Sequence, residues 1–351
     1  MCPTTSAGSS STTSGRCRRS KPPLHATPRR KPAGRSSLRL TPVRLATIDL
    51  GSNTVRLLVA DVVGAGRWHV VEADQRVTRL GEGLAASGRL GEAPAARTAA
   101  TVAEYAARAR RAGAERVAIV ATSAVREAAN GADFVAALER ATGETVTVVS
   151  GEREAALTLA GVLGGIGEAP HAEGDTLVFD IGGGSTEYVL ARGATAVAAI
   201  SLRLGVVDLT ERHPFPGPVE PARFRALHEE VASRLASELP APIRTARVGR
   251  LIGTAGTATT LAALDLGLRA YDAVRVQGHV LTRRAVDTLL ARLGALTVGE
   301  RAALPCLEAG RADLIVPGTA IVVATMDLVG AERLVVSDWG LREGILMSLA
   351  S

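Results

Sequence analysis

Aromatic residues make up only 3% of the chain, so a core has to be built mainly from Ala, Val and Leu. No apolar run approaches the ~20 residues that a membrane-crossing helix needs, and the expected location is the cytoplasm. Cysteine is scarce: Cys2, Cys17 and Cys306 are odd in number, widely spaced and form no CxxC. Neither a disulfide framework nor a structural zinc site follows, as fits a reducing compartment. None of the six histidines stands in an HExxH or HD pair, and there is no Walker A stretch or GxSxG elbow. The common zinc, P-loop and serine hydrolase chemistries are thereby excluded. Acidic residues are absent from residues 1–40, which hold nine Arg or Lys.

That last absence localises the charge. The chain as a whole carries +6, so everything after residue 40 is net acidic by three. The first 42 residues are rich in Ser, Thr, Pro and Arg, cannot bury enough surface to offset their ordering entropy, and are expected to be a disordered basic tail. Arg18-Arg19 is followed by no apolar segment, so an export signal is not expected. The tail is either an arm for polyanions or a dispensable extension; nucleic acid is not an expected partner. The length, 351 residues with 46% hydrophobic and 22% charged, suits two globular domains.

Chemistry concentrates at a glycine turn. Leu177-Val178-Phe179-Asp180-Ile181 is an apolar run ending at an acid; Gly182-Gly183-Gly184-Ser185 turns; Thr186-Glu187-Tyr188-Val189-Leu190 is a second run. Glycine enters positive-φ turns without a Cβ clash, so the pattern reads as a tight hairpin. Bare amides flanked by Asp180 and Glu187 suit a phosphate with a hydrated divalent cation beside it. An ordinary glycine hairpin is the alternative. A second copy weighs against that: Ala46-Thr47-Ile48-Asp49-Leu50-Gly51-Ser52-Asn53-Thr54-Val55-Arg56 repeats the plan, with Asp49 on Asp180, Gly51 on Gly182 and Arg56 where Glu187 stands. Two similar half-molecules facing one another follow from the repeat. A third glycine turn, Gly253-Thr254-Ala255-Gly256-Thr257, follows another apolar run.

These stretches, together with Ala121-Thr122-Ser123-Ala124-Val125-Arg126-Glu127-Ala128 and Ser150-Gly151-Glu152-Arg153-Glu154-Ala155, come in the order found in the exopolyphosphatase/guanosine-pentaphosphatase (Ppx/GppA) family, which the chain resembles from Val43 to its end. The resemblance implies an α/β, actin-like ATPase (ribonuclease H-like) fold. Two similar lobes, 43–149 and 150–351, would each hold a mixed five-stranded sheet flanked by helices, with the site in the cleft between them. The closing helix, 341–351, would pack back on the first lobe. The amides and hydroxyls of Gly51, Ser52, Asn53, Gly182, Gly183, Gly184, Ser185, Gly253, Thr254, Gly256 and Thr257 are the expected phosphate cradle. Asp49, Asp180 and Glu187 are the expected ligands of Mg²⁺, with Mn²⁺ as an alternative.

Glu154 matches the family's catalytic glutamate, the general base that deprotonates water; its place in a helix's first turn favours the ionised form. Glu152 is a weaker candidate. Arg126 supplies a fixed cationic fork, with Arg56 and Arg203 as fainter versions. The implied activity is Mg²⁺-dependent hydrolysis of the terminal phosphate of inorganic polyphosphate, of short chains in the absence of the longer relatives' extra helical domain. Conversion of guanosine pentaphosphate (pppGpp) to the tetraphosphate is the alternative within the family, and an actin-fold kinase or a silent phosphate-binding regulator the alternative outside it. Relatives are often dimers, so a homodimer is expected.

Periodicity supplies the rest. Strands are expected at 43–50, 54–61, 67–77, 116–121 and 145–149, then 176–181, 185–192, 195–202, 248–253 and 334–336. Helices are expected at 92–112, through Arg126, at 132–141, from Ser150 to Leu163 with Gly164-Gly165 ending it, and near 206–213, 219–238, 241–246, 257–266, 282–293, 311–329 and 341–349.

Overall fold

The apolar runs around the first turn become a three-strand meander. In a computed structural model, which describes residues 42–64, 66–167 and 174–350, β1 (Val43–Leu50) pairs antiparallel with β2 (Thr54–Gly64), and β2 with β3 (Arg67–Val77). The basic tail up to residue 41, with Cys2 and Cys17, and residues 168–173 of the connection between the halves lie outside the described residues. After α1 (Leu84–Ser87) and α2 (Glu92–Arg111), β4 (Arg116–Ala121) joins β1 in parallel. Beyond α3 (Ser123–Glu127) and α4 (Gly131–Thr142), β5 (Val146–Val148) joins β4 in parallel. The order is β3-β2-β1-β4-β5. β1 sits at the centre and is buried from Leu45 onward, as its nearly unbroken apolar run requires.

Helix α5 (Gly151–Ile166) leads to the second half, which repeats the plan with β6 (Asp175–Ile181), β7 (Thr186–Arg192) and β8 (Thr195–Leu202). Then come α6 (Val206–Arg212), α7 (Pro221–Glu238), α8 (Ala241–Arg244), β9 (Val248–Thr254), α9 (Ala255–Asp265), α10 (Ala273–Val276) and β10 (Val280–Thr282). The chain closes with α11 (Arg283–Gly294), α12 (Val298–Ala302), a 3₁₀ turn (Ala309–Arg311), α13 (Ile315–Val329), β11 (Arg333–Val336) and α14 (Leu341–Ala350). The second sheet runs β10-β11-β9-β6-β7-β8. Laying β6, β7, β8, β9 and β11 over β1 to β5 reproduces the first sheet, the order of the ribonuclease H-like fold.

Besides the short helices α1, α10 and α12, which lie outside the expected set, three details depart from the expected elements. The second sheet has a sixth strand, β10, added antiparallel on β11; at three residues it is too short to show a period. The long helix expected from residue 311 begins at Ile315, and Arg311 belongs to the preceding 3₁₀ turn. Helix α5 does not stop at Gly164-Gly165 but runs to Ile166, with Gly167 after it. Those glycines serve packing: a Cβ on Gly164 would lie 3.0 Å from the Met347 sulfur of α14, and one on Gly165 would lie 2.7 Å from the Trp339 ring. α14 crosses α5 so closely that a Cβ on Gly161 would lie 2.0 Å from the Gly340 carbonyl oxygen, and one on Gly344 would lie 1.9 Å from that of Leu157.

The same helix reaches the first sheet. Leu346 of α14 packs with Leu45, Leu58 and Ala60 of β1 and β2. Trp68 of β3 stacks on Trp339, just before α14, with ring centroids 4.5 Å apart. Each sheet has its own core: Ile48, Leu57, Val102 and Tyr105 in the first half, and Phe179, Tyr188, Leu261 and the buried apolar residues of α13 in the second. The two turns that end β1 and β6 are held in place by these cores.

Candidate active site

The two turns are built alike. Gly51 N donates to Thr54 O (3.1 Å) and Gly182 N donates to Ser185 O (2.9 Å). Asp49 stands opposite Arg56 across β1 and β2, just as Asp180 stands opposite Glu187 across β6 and β7. The turns touch: a Cβ on Gly183 would lie 2.9 Å from Asn53 N and one on Gly184 2.8 Å from Ser52 Oγ, which itself lies 2.9 Å from Ser123 Oγ at the start of α3. The first amides of α6, from Val206 and Val207, donate to the carbonyls of Gly182 and Gly183 and fix the second turn from behind. What remains between the turns is a cavity of about 90 Å³.

Four carboxylates face this space: Asp49, Asp180, Glu187 and Glu154. Glu187 is buried and accepts hydrogen bonds from Ser185 Oγ (2.7 Å) and Ser201 Oγ (2.6 Å). Glu154 is brought in by α5, whose start is capped by Ser150 Oγ accepting from Arg153 N (3.2 Å). Arg126 of α3 donates to Glu154 Oε2 (2.9 Å) and to Val149 O (2.9 Å). Crowding raises the proton affinity of all four. Burial, then the Glu187 charge, lifts Glu154 to about 9 against the pull of Arg126. Burial, then Glu187, lifts Asp180 to about 7, with Arg56 opposing and Asp49 adding. Burial also raises Glu187, and raises Asp49 against Arg56 and Arg342. The expectation that the helix start keeps Glu154 ionised is therefore corrected for the protein without bound cations: burial and a neighbouring carboxylate outweigh the helix dipole.

Most of the expected cradle is where the turns meet. Gly51, Ser52, Asn53, Gly182, Gly183, Ser185, Gly256 and Thr257 line the cavity, and Asn53 Oδ1 is buried there without a partner. Three expected residues do not line it. Gly184 faces away, toward a second cavity; Gly253 is packed inside β9 against Phe179 and Leu334; and Thr254 Oγ1 donates to Trp339 O (3.1 Å). Gly253 and Thr254 instead carry the turn at Ala255, a non-glycine residue at φ 65° that lines the cavity. Arg126 acts through Glu154 rather than from the lining, and Arg203 is outside, paired with Glu127. Glu152 is absent from the lining.

Residues that sequence reasoning missed come from distant segments. Arg311 lies across Gly256, where a Cβ would meet its Nη1 at 1.9 Å, and its Nη2 donates to Thr54 Oγ1 (3.3 Å). Burial, then repulsion from Arg56, lowers Arg311 to about 10. Its Nε lies 3.0 Å from Glu308 Oε2 without the alignment of a hydrogen bond. Arg342 and Glu343, paired at 2.6 Å at the start of α14, bring a further charge pair beside Asp49. No local pattern marked these three.

Comparison with known proteins resolves what such a site belongs to. The family model described as the Ppx/GppA phosphatase family matches residues 58–351. The chain belongs to the Ppx/GppA family. Its relatives include the "Exopolyphosphatase 2" of Mycobacterium tuberculosis, 37% identical over 323 residues, covering 88% of this chain and 98% of that one. The crystal structure of the Aquifex aeolicus Ppx/GppA member superposes with a TM-score of 0.72 at 34% identity, over 88% of this chain and 97% of that one. That of an exopolyphosphatase from Cytophaga hutchinsonii gives 0.81 at 28% identity, over 88% and 97%.

In this Ppx/GppA chain the donors for a cation are hard carboxylate oxygens. No three His, Cys, Asp or Glu side chains among the described residues converge closely enough to enclose a metal alone. Mg²⁺ does not require such a cage, because it binds through one or two carboxylates and completes its shell with water and phosphate oxygens. The cross-strand pair Asp180 and Glu187, in which burial and then the Glu187 charge push the proton affinity of Asp180 up, fits that mode. Among the described residues no helix is long and apolar enough to cross a membrane.

Proposed function

We propose that this Ppx/GppA protein is an exopolyphosphatase that removes the terminal phosphate of inorganic polyphosphate, with short chains preferred. The observation that carries the reading is the meeting of two glycine turns over a cavity lined by Asp49, Asp180, Glu187 and Glu154, with Arg56 and Arg311 at its side. Bare turn amides and arginine forks suit successive phosphates, and a lone glutamate held by an arginine suits water activation. The relative named exopolyphosphatase, at 37% identity over nearly its whole length, supports the same substrate.

Catalysis proceeds by positioning and charge compensation. The terminal phosphoryl group lies on the amides of the Gly51–Asn53 and Gly182–Ser185 turns. Glu154 takes a proton from water as the water oxygen bonds to the terminal phosphorus. The bridging P–O bond breaks with its electron pair on the shortened chain, and orthophosphate is formed. Arg126 orients the Glu154 carboxylate. Asp180 and Glu187, with Asp49 across the cavity, would hold Mg²⁺ or Mn²⁺, which supplies charge neutralisation at the phosphates. Such neutralisation would offset the Glu187 repulsion that adds to burial in raising Glu154, bringing it toward the range a base needs.

A second reading, hydrolysis of guanosine pentaphosphate, is favoured by one feature: a neighbouring pocket of about 610 Å³ lined by Tyr271, Asp338, Thr259 and Gln75. Hydroxyl, amide and carboxylate acceptors of this kind suit a nucleoside more than a bare polyanion. A homodimer in the cytoplasm is the assembly and place this reading assumes, checked by light scattering and fractionation. The deciding experiment is phosphate release at fixed Mg²⁺ from polyphosphates of graded length, guanosine pentaphosphate and ATP, with no acceptor added. Release from guanosine pentaphosphate or ATP but from no polyphosphate would overturn the proposal.

A further inference from the structure

The first sheet lays out an order of charge that leads away from the reaction cavity. Asp49 stands opposite Arg56 across β1 and β2, and Arg56 stands opposite Gln75 across β2 and β3. Residues directly opposite share a face, and neighbouring strands lie ~4.8 Å apart, so the Gln75 backbone is roughly 10 Å from that of Asp49. Arg56 and Arg311 line both the reaction cavity and the pocket of about 610 Å³, whereas Gln75 lines only the larger of the two. A polyphosphate is an anion at every unit. With its terminal group at Asp49, the chain follows these arginines out of the small cavity and into the large one. The cavity of about 300 Å³ that also borders the site offers one arginine, Arg203, already paired at 2.8 Å with Glu127.

Beyond Arg56 and Arg311 the wall of the larger pocket turns acidic, and its acids are not equivalent. Asp74 is paired with Arg108, and Glu343 with Arg342 at 2.6 Å. Asp338 accepts the Tyr271 hydroxyl and is pushed toward its protonated form by burial. Glu308 differs, because its cation is the one the substrate needs. Its Oε1 accepts from Gln75 Nε2, a neutral donor that reaches over from β3. Its Oε2 is buried without a hydrogen bond, 3.0 Å from the Arg311 Nε, which also lacks one. A phosphate on Arg311 therefore competes with this carboxylate, and the phosphates that follow meet the carboxylate itself.

We propose that Glu308 is the residue that limits chain length: held over the 610 Å³ pocket by Gln75, its carboxylate leaves room for the first phosphates behind the terminal one and repels those that follow. Like charges repel with an energy that falls only as the first power of distance, so each further phosphate in the pocket adds to the penalty. None of them gains a new cation in return, since Arg342, the third arginine of the wall, is committed to Glu343. The inference rests on the exopolyphosphatase reading and gives its preference for short chains a cause.

The test removes the charge and keeps the shape. Glu308→Gln retains an oxygen that can accept from Gln75, and the half-exposed position tolerates the change. In the full chain with Mg²⁺, KM is measured for tripolyphosphate and for a long-chain polyphosphate. The variant should lower KM by ~10-fold for the long chain and by ~2-fold for tripolyphosphate, as repulsion summed along a chain requires. Its kcat should move less than KM with either substrate, and high salt should shrink the difference between the two substrates. Glu308→Ala, which removes the charge and the Gln75 contact together, should shift the ratio of the two KM values as far as Glu308→Gln does. A ratio that shifts in the Ala variant but not in the Gln variant would make the contact responsible rather than the charge, and would overturn the inference. Equal changes for the two substrates, or none, would overturn it as well. So would an unmodified protein that takes long chains as readily as tripolyphosphate, a result that leaves the exopolyphosphatase reading standing. If the unmodified protein cleaves neither substrate, that reading fails first and takes the inference with it.

Discussion

Arg126 donates a 2.9 Å hydrogen bond to Glu154 Oε2 and so ties α3 of the first half to α5. The bond fixes the carboxylate in rotation and opposes the burial that pushes its proton affinity up. Glu154→Ala should keep polyphosphate binding and lower kcat by at least ~10²-fold, the size expected for loss of a general base. Arg126→Ala should cost less in kcat and shift the acid limb of the pH–rate profile to higher pH, because Glu154 loses its counter-charge. A profile that does not move would leave Arg126 with a structural role only.

The same crowding makes stability depend on pH. Asp180, lifted to about 7, and Glu154, lifted to about 9, are folded-state carboxyls with raised values. Such groups contribute stability that is full below the ordinary carboxylate range near ~4 and is lost as pH rises through the folded values. In the presence of EDTA the melting temperature should therefore fall between pH 5 and pH 9. Added Mg²⁺ should restore it most at the alkaline end, where the carboxylates are ionised and bind the cation best. A melting temperature that is flat across this window, or rises, would contradict the assigned environments.

The crossing of α5 with α14 has a direct mutational signature. Gly161→Ala and Gly344→Ala each place a methyl group about 2 Å from a backbone carbonyl oxygen. Overpacking of this kind costs about 1–3 kcal/mol. Urea denaturation should show the loss in both variants, whereas Gly143→Ala, with nothing within 4 Å, should show only the strain of its φ of +72°. Equal effects at the three positions would mean that the two helices do not hold each other as closely as described.

How far the sequence could be read follows from the range of each signal. The hairpins at Asp49 and Asp180 are local: strand, acid, glycine turn and strand all lie within some fifteen residues, and both their structure and their pairing across the cavity follow from one repeated pattern. Glu154 and Arg126 were reachable only because each sits in a motif shared with a known family; spacing alone does not bring residue 126 to residue 154. Arg311, Arg342 and Glu343 had neither aid. Their segments read as the starts of ordinary helices, and what brings them to the site is the long return of the chain through α13 and α14. The glycines of α5 mislead for a related reason: Gly164-Gly165 signals a helix end locally, and only the partner helix explains a glycine that continues one.

Arg311 sets binding against stability. Its guanidinium is buried over Gly256, faces the like charge of Arg56, and has only an imperfect pairing with Glu308. A buried charge without full compensation is costly, and an apolar side chain of similar length removes that cost while the half-exposed Glu308 stays solvated. Arg311→Met should thus raise the melting temperature of the free protein. A bound phosphate chain supplies the missing negative charge, so the same variant should raise KM for polyphosphate by ~10-fold, about 1.4 kcal/mol, while changing kcat less. High salt should narrow the gap between the two proteins, since it weakens the attraction that only the parent retains. An unchanged KM, or a less stable free protein, would show that Arg311 is a structural arginine whose charge the fold already satisfies.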